Sequence, residues 1–148
     1  MTATAHALVG GAIAASLPEN PALGITLAAL SHPLLDIIPH WDFGQGWRKK
    51  SKALLLFQGV ADLSLGIILA FIFFGKSTNN LYLILAIFMA ESWDFLQTPY
   101  WLLNWNFPPF STFYNFGHNI NEKMRLPWGI LTQAVTVGTV VFALRFIH

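Results

Sequence analysis

Cysteine is absent from this 148-residue chain, which excludes disulfide staples and thiolate metal sites alike. Any metal here must be held by histidine nitrogen and carboxylate oxygen. Charge is scarce too: Asp, Glu, Lys and Arg make up 10% of the residues, against roughly 25% in an ordinary soluble domain. Eight basic residues against seven acidic ones leave a net charge of +1. That is no phosphate-coating surface, so nucleic acid is excluded as a partner. Low-complexity segments and internal repeats are also lacking. What the chain has is apolar surface: 55% hydrophobic and 15% aromatic residues, with a mean hydropathy of +0.54. The length suits one domain, residues 1–148. The expected solvent is lipid.

Five segments meet or approach the about 20 apolar residues that a transmembrane helix needs. The first, Ala3 to Leu17, is short and built of small residues. No basic region precedes it and His6 stands where one would be, so it reads as a mature helix rather than a secretory signal. After the turn Pro18–Pro21 comes Ala22 to Ile38, and then Ala53 to Phe74, the longest uninterrupted run. The fourth runs from Leu81 to about Gln97, where Thr98-Pro99 is expected to end or kink it. The fifth spans Pro127 to Ile147, with Pro127 at the first helical position and Trp128 at the interface. The fold class is therefore all-α, an integral membrane bundle of about five helices. The aromatic stretch Leu102 to Gly117, with Pro108-Pro109, is expected to lie in the interface.

Five spans put the loops Trp41–Lys52 and Leu102–Leu126 on one face of the membrane. Those loops hold Arg48, Lys49, Lys50, Lys52, Lys123 and Arg125, whereas the other face holds Lys76 and Arg145. Six against two is a positive-inside signal, which places both loops and the N-terminus in the cytoplasm and the chain in the cytoplasmic, or inner, membrane. Trp41, Trp47, Trp101, Trp105, Phe107, Phe110, Phe113 and Tyr114 form an aromatic belt on that same face.

Ionisable residues within spans cost at least ~2.5 kcal/mol each on insertion scales, so they mark function by default. Gly24, Ala28, His32 and Asp36 recur at intervals of four, with His40 one step further beyond Pro39. That spacing puts His32 and Asp36 on one helical face. Gln58 and Asp62 repeat the interval on the third run, Glu91 and Asp94 lie three apart on the fourth, and His118 sits in the second cytoplasmic loop. His6 enters from the same side. Agreement in depth and side is not expected of scattered polar residues, and His6, His32, Asp36, His40, Asp62, Asp94 and His118 together form a ligand set for a divalent ion. Taken singly, each has a plainer reading as a helix–helix hydrogen bond. Asp36 could cap its helix or meet Arg48, Glu91 could pair with a histidine, and Gln58 reads as a polar contact. Ala3, Ala7, Gly11 and Ala15 form a close-packing face, and His148 is assigned no role.

Thr4-Ala5-His6-Ala7-Leu8-Val9-Gly10, a small-residue helix, and then Leu34-Leu35-Asp36-Ile37-Ile38-Pro39-His40-Trp41-Asp42 closing the second run resemble the membrane-bound metal-dependent hydrolases of bacteria and archaea. The likeness covers about the first 45 residues. It implies His6 and Asp36 as metal ligands, with His32 or His40 beside them. The tandem acidic motif of that family is here spread out as Asp36 and Asp42. Its later histidine motif is missing, with Gly117-His118-Asn119-Ile120 a remnant at best. The His32-x3-Asp36 pair is also similar, by spacing alone, to zinc-dependent phospholipase C sites.

The expected function is a metal-dependent hydrolase at the cytoplasmic leaflet, acting on a lipid ester or phosphoester. One or two ions of zinc type would activate water. Glu91, as the deepest carboxylate, would be the base, and the aromatic belt would position a small amphipathic substrate. A non-catalytic metal- or lipid-binding scaffold is the main rival. A small transporter is disfavoured by the lack of paired inverted halves.

Overall fold

The computed structural model describes residues 1–145. They form seven α-helices and one 3₁₀ turn, with no strand among the described residues. The helices are α1 (Ala3–Ser16), α2 (Pro21–Asp36), α3 (Lys52–Phe74), α4 (Asn80–Ala90), α5 (Ser92–Leu102), α6 (Phe110–Ile120) and α7 (Trp128–Arg145). Ile147, the expected end of the last run, and His148 lie outside the described residues.

The middle of the bundle is α1, packed against α2, α3, α4 and α7. It is started by Thr2, whose hydroxyl accepts from the Ala5 amide. A helix surrounded on every side must be thin, and its small residues meet that need. A Cβ added at Gly10 would come within 2.8 Å of Ala90 Cβ and 3.0 Å of the Ala86 carbonyl. One added at Gly66 would meet Ala7 Cβ at 2.8 Å and Thr4 Cα at 2.9 Å. Missing side chains at these two points let α1 lie backbone to backbone on α4 and α3. Of the expected small-residue face, Ala7 and Gly11 are buried here.

Helix α2 buries Gly24, Ala28, His32 and Asp36 along one face, as the four-residue spacing requires. Pro33 interrupts its hydrogen bonding, since proline has no N–H to offer the carbonyl four residues back. That carbonyl, Ala29 O, instead accepts from the Trp93 indole at 3.0 Å.

The fourth apolar run is not one helix ending near Pro99. It breaks at Glu91, the shared terminus of α4 and α5, and Pro99 lies inside α5. The aromatic stretch after Leu102 contains α6, with Tyr114 and Gly117 buried. Tyr114 stacks on Tyr100 of α5 at 3.9 Å between ring centroids. The loops following α2 and α6 meet: the His40 amide donates to Glu122 O and the Met124 amide to His40 O, a parallel bridge. The two loops that hold the six basic residues are thus joined to each other.

Outward faces are apolar. Leu23, Leu27, Leu30 and Leu34 of α2, Phe57, Ile68 and Ile72 of α3, and Leu81, Ile84 and Phe88 of α4 are all exposed. Among the described residues one helix, α3, is long and apolar enough to cross a membrane; α1, α4 and Trp128–Leu144 are apolar but shorter.

Candidate metal centre

Beside its apolar core the bundle buries a cluster of polar groups. His6, His32, Asp36, His40 and Glu91 are each at most 4% exposed. Asp36 is the hub. His6 Nε2 lies 3.3 Å from its Oδ1 and His32 Nε2 lies 3.4 Å from its Oδ2. The His6 and His32 rings stack in parallel, with centroids 3.8 Å apart. His40 Nε2 approaches Oδ1 at 3.8 Å, and the Met1 amino nitrogen is also placed against Oδ1.

Two of these histidines are oriented by the backbone. His32 Nδ1 contacts Ala90 O at 2.6 Å, and His40 Nδ1 contacts Ile38 O at 2.7 Å. A carbonyl can only accept, so each Nδ1 carries the proton. In the neutral ring that leaves an unshared pair on Nε2, turned toward carboxylate oxygen. Facing carboxylate oxygen, each such Nε2 calls for either a second proton on the ring or a cation between the two atoms. The Nε2 atoms of His6, His32 and His40 are buried without a hydrogen-bond partner among the described residues. With zinc–ligand bonds of about 2.0–2.2 Å, ligand atoms on a tetrahedron lie about 3.3–3.6 Å apart. His6 lies 3.3 Å from Oδ1 and His32 3.4 Å from Oδ2, so the Asp36 carboxylate spans the two imidazoles with one oxygen toward each. His6, His32 and Asp36 could together hold a metal ion. Carbonyls behind two of the imidazoles are the outer support that metal-ligating histidines need.

The other candidate residues are placed differently. Asp62 accepts from the Ala3 amide at 2.7 Å, the Thr4 amide at 3.2 Å and the Thr4 hydroxyl at 2.7 Å. It caps α1, where negative charge is favoured by the helix dipole, so its oxygens are committed to the fold and not to the ligand set. Asp94 Oδ1 is 3.6 Å from His32 Nε2, at the edge of the cluster and partly exposed. His118 is exposed on α6, stacked on Tyr114, and reaches the cavity mouth rather than the hub. Gln58 accepts from Lys50 Nζ at 3.1 Å, which is the polar contact expected of it.

A cavity of about 380 Å³ opens beside Asp36. Its polar lining includes Asp42, Glu91, Asp94, Asn121 and Lys123, and its aromatic lining includes Phe43, Trp47, Phe95, Trp101 and Tyr114. Glu91 Oε1 is buried and unpartnered among the described residues. It does not pair with a histidine in a hydrogen bond. An amphipathic opening with an unsatisfied carboxylate suits a ligand that is polar at one end and apolar at the other.

Two contributors escaped sequence reasoning, and a third entered it only through the family resemblance. Trp93 supports α2 at Pro33. Gln133, in the last apolar run, accepts from the Thr2 amide at 2.8 Å and donates to Trp41 O at 2.7 Å. It ties the start of α1 to the segment carrying His40, and as the one amide side chain of the last apolar run it offered a signal. Asp42, whose Oδ2 lies 3.5 Å from His40 Nε2, is the third. No protein-family model, curated protein or solved structure matches the chain.

Proposed function

We propose that this chain is a membrane-embedded, metal-dependent hydrolase of lipid esters or phosphoesters, working at the cytoplasmic leaflet of the inner membrane. One observation carries the reading: three buried imidazole Nε2 atoms without hydrogen-bond partners ring Asp36 beside a cavity that holds the unpartnered carboxylate of Glu91. His6, His32 and Asp36 hold the ion, of zinc type by the chemistry of the donors. Bound there, such an ion supplies a water with its pKa lowered to about 7. Glu91 is the proton acceptor, and the aromatic lining seats the apolar part of the substrate.

The membrane setting is supported by the outer faces. Soluble monomers rarely expose contiguous apolar patches beyond a few hundred Å², yet exposed leucine, isoleucine and phenylalanine run along α2, α3 and α4. Only 22% of the apolar window of α3 is buried inside the fold, so most of that helix faces outward. The bundle of about five spans takes α1, α2, α3, the α4–α5 pair and α7 as its members. The likeness of the first 45 residues to membrane-bound metal-dependent hydrolases points the same way.

A metal-binding scaffold is the second reading, favoured by His6 coming from α1 and His32 from α2, so that an ion would staple the two helices. Elemental analysis and a lipid-hydrolysis assay on the detergent-purified protein separate the readings. Stoichiometric metal with turnover supports the hydrolase, and metal without turnover on any phospholipid or acylglycerol leaves the scaffold. Protein free of metal after metal-supplemented expression overturns both.

A further inference from the structure

We infer that the lipid substrate reaches the centre sideways from the bilayer, its acyl chain lying in a cleft between α3 and α5 over Gly59. The inference rests on the lipid-hydrolase reading proposed above. Helices α3 and α5 both line the cavity, yet each packs on other neighbours: α3 on α1 and α4, α5 chiefly on α6. Leu56, Gly59, Val60 and Leu63 recur at three and four residues along α3, so they share one face of the helix. Leu56 and Val60 line the cavity and are nevertheless 54% and 55% exposed. The α3 wall of the cavity therefore continues onto the outer surface of the one helix among the described residues that is long and apolar enough to cross a membrane. Phe95, on the α5 side, likewise lines the cavity and is exposed.

Packing does not account for Gly59. A Cβ added there would meet nothing within 4 Å, unlike Gly10 and Gly66, whose missing side chains let helices touch. Glycine in a helix interior is unfavourable relative to alanine, and one glycine in a row of leucine and valine leaves a notch the width of a side chain. With Lys52 at the interface, Gly59 lies roughly 10 Å into the bilayer by the helical rise, at the depth of acyl chains rather than headgroups. Polarity changes across the cavity in the same sense. Glu91, buried and unpartnered among the described residues, lies on its wall with Asp36, whereas the stretch from Leu56 to Val60 offers only apolar lining. A lipid needs both ends, its ester beside Glu91 and its chain in hydrocarbon. A cleft that opens to the bilayer keeps that chain out of water throughout entry.

The test uses the full chain in liposomes of phosphatidylethanolamine and phosphatidylglycerol. These are doped with a phosphatidylcholine that carries a photoreactive diazirine near the carbonyl end of one acyl chain. Peptide mass spectrometry of the wild type should find label on Leu63 and Phe95 in the cleft, besides the outward residues Ile72 and Leu81 that any surrounding lipid reaches. Gly59→Trp fills the notch and should cut the label on Leu63 and Phe95 by roughly tenfold or more, the scale set by denying burial to a few methylenes. Label on Ile72 and Leu81 should stay. Val60→Trp narrows the same opening and decides the matter if a thermal scan shows Gly59→Trp unfolded. In both variants the hydrolytic preference for the long-chain lipid over soluble dibutyrylphosphatidylcholine should fall by a similar factor. Cleft residues unlabelled in wild type, or equally labelled in a folded Gly59→Trp protein, overturn sideways entry. A dimer with those residues unlabelled gives the cleft to a second copy and overturns it too. Labelling as expected without turnover of either lipid overturns the hydrolase reading and keeps the lipid cleft.

Discussion

His32 on α2 contacts the carbonyl of Ala90, the last residue of α4, at 2.6 Å through Nδ1. The last carbonyls of a helix have no partner within it, and the break at Glu91 puts such a carbonyl beside His32. The same break leaves Glu91 buried on the cavity wall. One interruption thus orients a metal-ligand candidate and places the candidate base.

The ligand assignment is tested by substitution. His6→Ala, His32→Ala and Asp36→Asn should each lower metal affinity by at least the about 10–100-fold that loss of an outer-shell partner costs. Gln58→Ala should leave affinity unchanged, because its partner is Lys50. Equal metal occupancy across all four, measured by elemental analysis, would reduce the cluster to ordinary helix contacts.

Glu91→Gln keeps the shape of the side chain and removes its basic carboxylate. The variant should retain metal and lose hydrolytic turnover, with a melting temperature no lower than wild type, since Oε1 has no hydrogen bond to forfeit among the described residues. Asp94→Asn, whose parent carboxylate lies 3.6 Å from His32 Nε2, should instead weaken metal binding. An active Glu91→Gln protein sinks the assignment of the base.

Asp62 is read as a cap, which separates it from the ligands. Asp62→Ala should lower stability by about 1–2 kcal/mol, the scale of a lost N-cap. Supplying excess metal should not restore it. Measured unfolding in detergent with and without Zn²⁺ distinguishes this from a ligand variant, for which stabilisation by metal would disappear.

Close approach of α1 to α4 makes Gly10 sensitive. Gly10→Ala places a methyl against Ala90 Cβ and the Ala86 carbonyl, and overpacking of this kind costs about 1–3 kcal/mol. Gly59→Ala has open space and should be neutral. A thermal scan showing no difference between the two would mean that the helices are not in backbone contact.

Topology follows from the charge asymmetry. Reporter fusions after Lys50 and after His148 should report opposite compartments, cytoplasmic and external. The same compartment for both would mean an even number of crossings after Lys50, with the broken α4–α5 pair the first to be doubted.

Helical periodicity is local, and what depends on it could be read from the chain alone. The Gly24–Ala28–His32–Asp36 stripe, the thin first helix and the apolar outer faces follow from residue spacing and side-chain volume. The composition likewise restricted any metal to nitrogen and oxygen donors. Tertiary structure decided what each polar group faces, because those partners lie far along the sequence. Asp62 and Asp94 carry the same carboxylate on apolar runs, yet one is spent on the amides of Ala3 and Thr4 while the other borders His32. The break at Glu91 has no proline or glycine to announce it. The return of His40 depends on a backbone bridge to Lys123, more than eighty residues away in the numbering. A lone pair becomes a metal-ligand candidate only when its ring's other nitrogen finds a carbonyl, and only the folded chain supplies that carbonyl.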